Sequence, residues 1–254
     1  TDSTLEILKR YEGNLKWVSE KDLGQTDALI KGFSMATGKI LAWINSDDIY
    51  IKGAIKKVAE FFTENPDVAL LYGKSHYIDE TGKNIGEYPT EEFDMKKLPY
   101  FNFICQPSVF FRKSVYKTSG GLDRTLSYTM DYDLWIRIAE KERVAYLPEF
   151  LSSYRLHEES KTVSESHTLG RTREALETAR KLFGWAQPNR VYVYSYSLIK
   201  NALPSFLAKI SIITTPLALL YSIFLYLILN KGIKAADLKT INIENIFKMF
   251  SWRN

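Results

Sequence analysis

The sequence predicts an α/β protein with a mostly parallel sheet flanked by helices, followed by a helical C-terminal region. Residues 39–44 and 68–72 are short, continuous apolar runs, the pattern of strands covered on both faces. Each is preceded by a stretch of helical period: 27–37, with Leu29, Phe33 and Ala36 on one face, and 53–63, with Ile55, Val58, Ala59 and Phe62 on one face. Such β–α alternation builds a parallel sheet with helices packed on it. Beyond residue 161 the pattern becomes helical throughout.

The elements follow in order. Leu5, Leu8 and Tyr11 recur at helical spacing near the start. Gly38 stops the helix over 27–37, and Asn65-Pro66 ends the one over 53–63. Asp79-Glu80-Thr81-Gly82 is a turn signal inside 75–88, which predicts a hairpin. A strand is expected over 108–111, a tight turn at Gly120-Gly121, and a helix over 131–141 with Leu134, Trp135 and Ile138 inward. Trp135, beside those two, reads as core rather than as a sugar-stacking platform. Strands are expected over 144–147 and 150–154, then helices over 168–183 and 191–203.

Residues 210–229 contain no charged side chain, a length that can cross a bilayer core of about 30 Å. Pro216 interrupts this run, and Lys231, Lys234, Lys239, Lys248 and Arg253 follow it against only Asp237 and Glu244. If the domain before it is cytoplasmic, a single span would carry these cations outside, against the positive-inside tendency. A re-entrant or interfacial segment avoids that conflict. Residues 240–252, with Ile243, Ile246, Phe247 and Phe250 on one side, suit a helix lying flat on the surface.

Composition narrows the function. With 45% hydrophobic and 14% aromatic residues, the 254-residue chain can bury a sizeable core, which excludes a disordered protein. The balance of 34 basic against 30 acidic residues, +4 net, gives no footprint for nucleic acid. A single cysteine, Cys105, excludes an intrachain disulfide and fits a reducing compartment; within Phe101-Asn102-Phe103-Ile104-Cys105 it reads as a buried hydrophobe.

The chemistry starts where an apolar run ends in Asn45-Ser46-Asp47-Asp48. Adjacent carboxylates at a strand's carboxyl end repel each other, and a divalent cation carried by a diphosphate would relieve that. A bare turn or helix cap is the other reading of such a pair. Three further stretches stand with it. Gly24-Gln25-Thr26-Asp27-Ala28-Leu29-Ile30-Lys31-Gly32 puts polar groups ahead of a helix. Thr129-Met130-Asp131-Tyr132-Asp133-Leu134-Trp135 puts two carboxylates in a first helical turn. Tyr154-Arg155-Leu156-His157 ends a strand with a cation and an imidazole.

Together with Gln106-Pro107-Ser108-Val109-Phe110-Phe111-Arg112, in this order, these motifs resemble family 2 glycosyltransferases of the GT-A fold. The likeness covers residues 1–161. It implies an inverting, metal-dependent enzyme with Mn²⁺ or Mg²⁺ as cofactor. Its donor would be a nucleotide-sugar of the UDP kind, and its acceptor a glycan or lipid-linked saccharide of the cell envelope. By position, the resemblance makes Asp131 the catalytic base. It gives Asp27, Lys31, Asp47 and Arg155 to the nucleotide-sugar, and Asp48 and His157 to the metal; Asp133 is left a structural role. Ile30 stands where Asn is usual in the family, and Asn45 where the first Asp of DxD is usual. Thr1-Asp2-Ser3-Thr4 resembles the end of the loop after the family's second strand, which implies a chain without the first strand, first helix and second strand.

The expected organisation is therefore a GT-A domain over 1–161, a helical extension over 162–204 and a membrane-associated segment over 205–254. The expected location is the cytoplasmic face of the cell membrane. Two other readings stand beside it: a non-catalytic remnant that binds a membrane or partner, and a glycoside hydrolase using Asp47 and Asp131 as a carboxylate pair.

Overall fold

A computed structural model describes residues 2–231 of the chain. The amphipathic segment expected over 240–252 lies outside the described residues. In chain order the elements are α1 (Thr4–Arg10), α2 (Gln25–Met35), β1 (Ile40–Leu41), β2 (Ile49–Tyr50), α3 (Ala54–Glu64), β3 (Val68–Ile78) and β4 (Asn84–Glu87). A 3₁₀ turn (Gln106–Ser108) then leads into β5 (Val109–Arg112), α4 (Lys113–Thr118), α5 (Met130–Ala139), β6 (Arg143–Arg155), α6 (Glu165–Phe183), α7 (Pro188–Ala202), α8 (Ser205–Ala208) and α9 (Ser211–Asn230).

The sheet runs β1-β5-β3-β6-β2, with β4 paired to the outer half of β3. The α/β class holds, and the expected strand polarity is corrected. Only β3 and β6 run parallel; the pairs β1/β5, β3/β5, β3/β4 and β2/β6 are antiparallel. The physical reason lies in the connections, because antiparallel neighbours need no crossover helix. The β3–β4 hairpin closes on Asp79, whose Oδ1 accepts the amides of Thr81 (2.9 Å) and Lys83 (3.0 Å). The expected strand over 39–44 pairs only at Ile40 and Leu41, opposite Arg112 and Phe111. Residues 42–44 leave the ladder before β5 ends, and its Phe110 and Val109 keep their pairing with β3.

The run Val68–Gly73 in β3 is wholly buried, as its uninterrupted apolar sequence requires. Gly73 sits where β3 and β6 crowd together. A Cβ there would meet Leu151 side-chain carbons at 2.6 Å and the Glu149 carbonyl at 2.8 Å. The two strand pieces expected over 144–147 and 150–154 are one strand, with register irregularities opposite Gly73 and Lys74. Pro148, which has no N–H to give to a ladder, lies between the pieces. Arg112 ties the sheet to α3 by donating to the carbonyl of Val68 in β3 (2.7 Å) and to those of Phe62 (3.1 Å) and Asn65 (3.0 Å), which the end of α3 leaves unpaired.

One face of the sheet packs Phe33, Trp43, Phe111 and Trp135 together, with the two indoles stacked at 5.2 Å. Trp135 is fully buried and belongs to this core. Asp133, 1% exposed, pairs with Arg137 at 2.5 Å one turn on. The same guanidinium donates to the carbonyls of Ser119 and Gly121, the latter at 2.7 Å, fixing the turn ahead of α5. Gly121 has φ +70, and a Cβ would meet the Tyr116 ring at 3.2 Å, so a side chain is strained there. Replacing Asp133 with Ala would leave a largely buried guanidinium without its counterion. Chemical denaturation is expected to show a loss of about 3 kcal/mol, the lower end of the range for breaking such a pair, because Arg137 keeps some solvent contact.

Helices α6 to α9 form a second layer against the first. Asn189 and Arg190 at the start of α7 donate to the carbonyls of Tyr100 and Pro99, each at 2.7 Å. Helix α9 returns along α7: Asn230 at its end exchanges hydrogen bonds with the backbone of Ala186 (2.8 and 3.0 Å).

Candidate active site

The segment after β1 is organised by one amide. Asn45 Nδ2 donates to Asp48 Oδ2 (3.1 Å) and Gln106 Oε1 (3.2 Å), while its Oδ1 accepts from Gln25 Nε2 (2.9 Å). Gln25 Oε1 in turn accepts from Lys161 Nζ at 3.0 Å, and Gln106 Nε2 donates to the Trp43 carbonyl at 2.8 Å. Residues far apart in the chain, on α2, the 3₁₀ turn and the segment after β6, thus converge on one loop.

The two adjacent carboxylates point different ways. Asp48 is buried, its Oδ1 accepting the Arg155 amide (2.9 Å) and its Oδ2 the Asn45 amide. Burial pushes its carboxyl up to about 6, with the charge of Asp47 adding to the rise and the Arg155 and Asn45 donors opposing it. Asp47 faces a cleft of about 620 Å³, and its Oδ2 accepts from His157 Nε2 at 3.0 Å. Arg155 donates to the carbonyls of Asp47 (2.8 Å), Asp79 (2.7 Å) and Glu80 (3.0 Å), so it fixes the loop and stays off the cleft wall.

Asp131 lines the same cleft from the first turn of α5. Burial raises its carboxyl to about 6, and the charge of Glu174 adds to that; the amides of Tyr132 and of Asp131 itself pull the other way. Gln25, Asn45, Gln106, Tyr128, Lys161 and Arg171 share the wall.

Of the expected site residues, Asp47, Asp131 and His157 therefore meet at the cleft. Asp48 and Arg155 lie beside it as partners of the loop backbone. Asp27 and Lys31 form a separate cluster on the first turns of α2. Asp27 accepts the Leu23 amide (3.2 Å) and pairs with Lys31 (3.3 Å) and Arg124 (3.6 Å); Lys31 also pairs with Glu20 (2.8 Å). The Leu23 amide, then Lys31 and Arg124, hold the Asp27 carboxyl below the usual carboxylate range despite its burial. Sequence reasoning passed over Gln106, Lys161 and Glu174. Gln106 stood in a quoted motif, and nothing local marked the other two.

Glycosyl transferase family 2 is the family whose model matches residues 1–120. Over these residues the chain resembles a family 2 glycosyltransferase. Among its relatives is an uncharacterized glycosyltransferase of Methanocaldococcus jannaschii, 29% identical over 160 residues, which are 59% of this chain and 55% of that protein. Another is the amylovoran biosynthesis glycosyltransferase AmsE of Erwinia amylovora, 32% identical over 143 residues, 54% of this chain and 52% of that protein. The chain thus spans about half the length of the curated relatives it matches. The GT-A-like fold agrees with the crystal structure of S. aureus TarS 1-349 (TM-score 0.52, 14% identity, 87% of this chain and 77% of that one). It agrees equally with a mannosyltransferase of Pyrobaculum calidifontis in complex with GDP-Man and Mn²⁺ (TM-score 0.50, 13% identity, 99% and 67%).

The donor set at the cleft suits a divalent cation that arrives with a diphosphate. Such a cation takes one or two protein ligands and fills the rest with phosphate oxygen and water. Asp47 and His157 supply one hard oxygen and one imidazole nitrogen facing the cleft. Among the described residues no group of three or more His, Cys, Asp or Glu gathers to make an all-protein metal cage.

Proposed function

We propose that the chain is the transfer domain of an inverting glycosyltransferase that moves a sugar from a nucleotide-sugar, of the UDP kind, to a cell-envelope glycan or lipid-linked saccharide. One observation carries the reading: Asp131, with a raised pKa, shares a cleft with the Asp47–His157 pair. A sugar hydroxyl is a weak nucleophile at neutral pH, and a carboxylate with a pKa of about 6 is both ionised there and basic enough to help. Asp131 takes the acceptor's hydroxyl proton as its oxygen bonds to the anomeric carbon. The bond from that carbon to the diphosphate breaks on the opposite face, inverting the centre.

Asp47 and His157 would hold Mn²⁺ or Mg²⁺, in place of the proton they now share. The cation, when bound, offsets the negative charge gathering on the diphosphate. Asp48 and Arg155 shape the loop that presents Asp47. Asp27 and Lys31 brace the start of α2, which brings Gln25 to the cleft beside the donor. Relatives named as amylovoran and PGL/p-HBAD biosynthesis glycosyltransferases support the acceptor class. A thermal-shift titration tests the reading. UDP or GDP with Mn²⁺ is expected to raise Tm, by mass action on the folded state, and EDTA to abolish the rise. No shift with any nucleoside diphosphate would leave a non-catalytic remnant.

The same protein is proposed to rest on a membrane through α9, which is long and apolar enough to cross one by length and composition. Its inner stripe, Thr214, Ala218 and Ser222, is buried, while Ile212, Leu220, Ile223, Phe224 and Ile228 are exposed. Arg190 and Lys200 on α7, and Arg173, Glu177 and Arg180 on α6, belong to the same layer of helices. A perpendicular crossing would draw such charges toward hydrocarbon at about 2.5–3.5 kcal/mol each. An in-plane helix with its outer face in one leaflet avoids this. The buried, unpaired Cys105 accords with the cytoplasmic face. The protein is expected to sediment with phosphatidylcholine–phosphatidylglycerol vesicles and to be released by alkaline carbonate. The double variant Ile223→Asp with Phe224→Asp is expected to stay in solution. Carbonate-resistant binding would mean a span instead.

A further inference from the structure

The turn that launches α5 is held from a distance. Glu174, in the middle of α6, accepts hydrogen bonds from the backbone amides of Ser127 (2.9 Å), Tyr128 (2.7 Å) and Thr129 (2.8 Å) and from Thr129 Oγ1 (3.0 Å). One turn later, Thr178 Oγ1 meets the same Thr129 hydroxyl at 2.9 Å. Thr129 is the N-cap of α5, and its own side chain gives the helix no capping bond. Three successive amides aimed at one carboxylate form a small anion-binding concavity, filled here by a side chain from another helix.

We infer that Glu174 is the positioning residue for Asp131: from α6 it fixes the segment 127–129 two residues ahead of the base and sets the charge beside it. The inference rests on the reading of Asp131 as the general base. It goes beyond that reading by giving α6, outside the residues that the family model matches, a part in the chemistry. The segment has two other anchors. Thr26 Oγ1 donates to the Leu126 carbonyl (2.5 Å), and Lys161 Nζ to the Ser127 carbonyl (3.2 Å). These hold carbonyls; among the described residues Glu174 is the acceptor for the amides. Its charge is also one of the influences that raise the Asp131 carboxyl, after burial. The other titratable or charged groups around Asp131 are Tyr88, Cys105 and Tyr154, with Asp47, His157, Glu159, Lys161 and Arg171 on the cleft wall.

Two variants separate positioning from simple stabilisation. Glu174→Gln keeps an acceptor oxygen for the amides and removes the charge; Glu174→Ala removes both. The Asp131 carboxyl is followed by carbon-detected NMR titration without substrate, and the pH profile of sugar transfer is followed in parallel. With Glu174→Gln, the Asp131 titration and the acid limb of the profile are both expected to move to lower pH, by on the order of half a unit. Turnover above pH 7 is expected to fall less than in Glu174→Ala, because the acceptor oxygen for the amides is kept. Glu174→Ala, measured per folded molecule, is expected to lose roughly 10- to 100-fold in kcat with little change in donor KM, as misplaced reacting groups do. An unchanged Asp131 titration in Glu174→Gln, or full turnover in folded Glu174→Ala, would overturn the inference. Failure of the base assignment is read on another variant, Asp131→Asn. The substrate-free titration stands apart from that result.

Discussion

Replacing Asp131 with Asn is expected to slow sugar transfer by about 100- to 10,000-fold, the usual contribution of general-base help. The amide fills the same space on the first turn of α5 and keeps an acceptor oxygen for the backbone N–H groups of Asp131 and Tyr132, so Tm should change little. Donor affinity should also persist, because the Asp47–His157 pair is untouched. The wild-type rate should carry a matching pH signature. Burial raises the Asp131 carboxyl, so the basic form is present above a pKa of about 6 and is lost as pH falls through it. Turnover is therefore expected to fall tenfold per unit below about pH 6, and Asp131→Asn to lose that limb. Asp133→Asn offers the contrast. Its carboxylate is bound to Arg137 inside the core, so its loss should act on stability and leave the limb in place.

The second large effect belongs to Asp47. With Asn there, the cleft keeps its shape but loses the carboxylate of the proposed cation pair. Donor binding in Mn²⁺ is expected to weaken about 100-fold or more, roughly 2.7 kcal/mol, while the weaker binding in EDTA stays the same. His157→Ala should act in the same direction. Asp48→Asn should do less to the metal titration, because both Asp48 oxygens already serve N–H donors of the loop. Titration calorimetry on the three variants separates the roles. If Asp48→Asn abolished the Mn²⁺ effect and Asp47→Asn did not, the two aspartates would have to be exchanged.

That pair also shows how far the sequence could be read. An apolar run ending in two carboxylates marks a site, since adjacent charges at a strand end need a partner. Which of the two faces the cleft depends on a turn closed by the Arg155 amide, 107 residues away, and no local pattern encodes that. The same holds for Lys161 on Gln25 and for Glu174 on residues 127–129, contacts between segments that read separately as ordinary solvated stretches. The helices were legible because their apolar periods are strong; α5 and α6 differ from their expected bounds by a few residues at their ends. Strand polarity was not legible. A buried run such as Val68–Gly73 is apolar on both faces whichever way its neighbours run, so β–α alternation alone overstated the parallel share. The family resemblance gave Arg155 to the nucleotide-sugar. In the fold its guanidinium meets three backbone carbonyls first.

The most direct test measures donor binding and donor consumption side by side. UDP- and GDP-sugars are offered with Mn²⁺ and a lipid-linked saccharide acceptor to wild type and to Asp131→Asn, following nucleotide-sugar affinity by calorimetry and nucleoside diphosphate release by a coupled assay. The expected result is equal affinity in the two proteins for one donor, with release at least about 100-fold slower in the variant. Equal release rates in the two proteins, or no binding of any nucleotide-sugar by the wild type, would contradict a glycosyl transfer site built on Asp131.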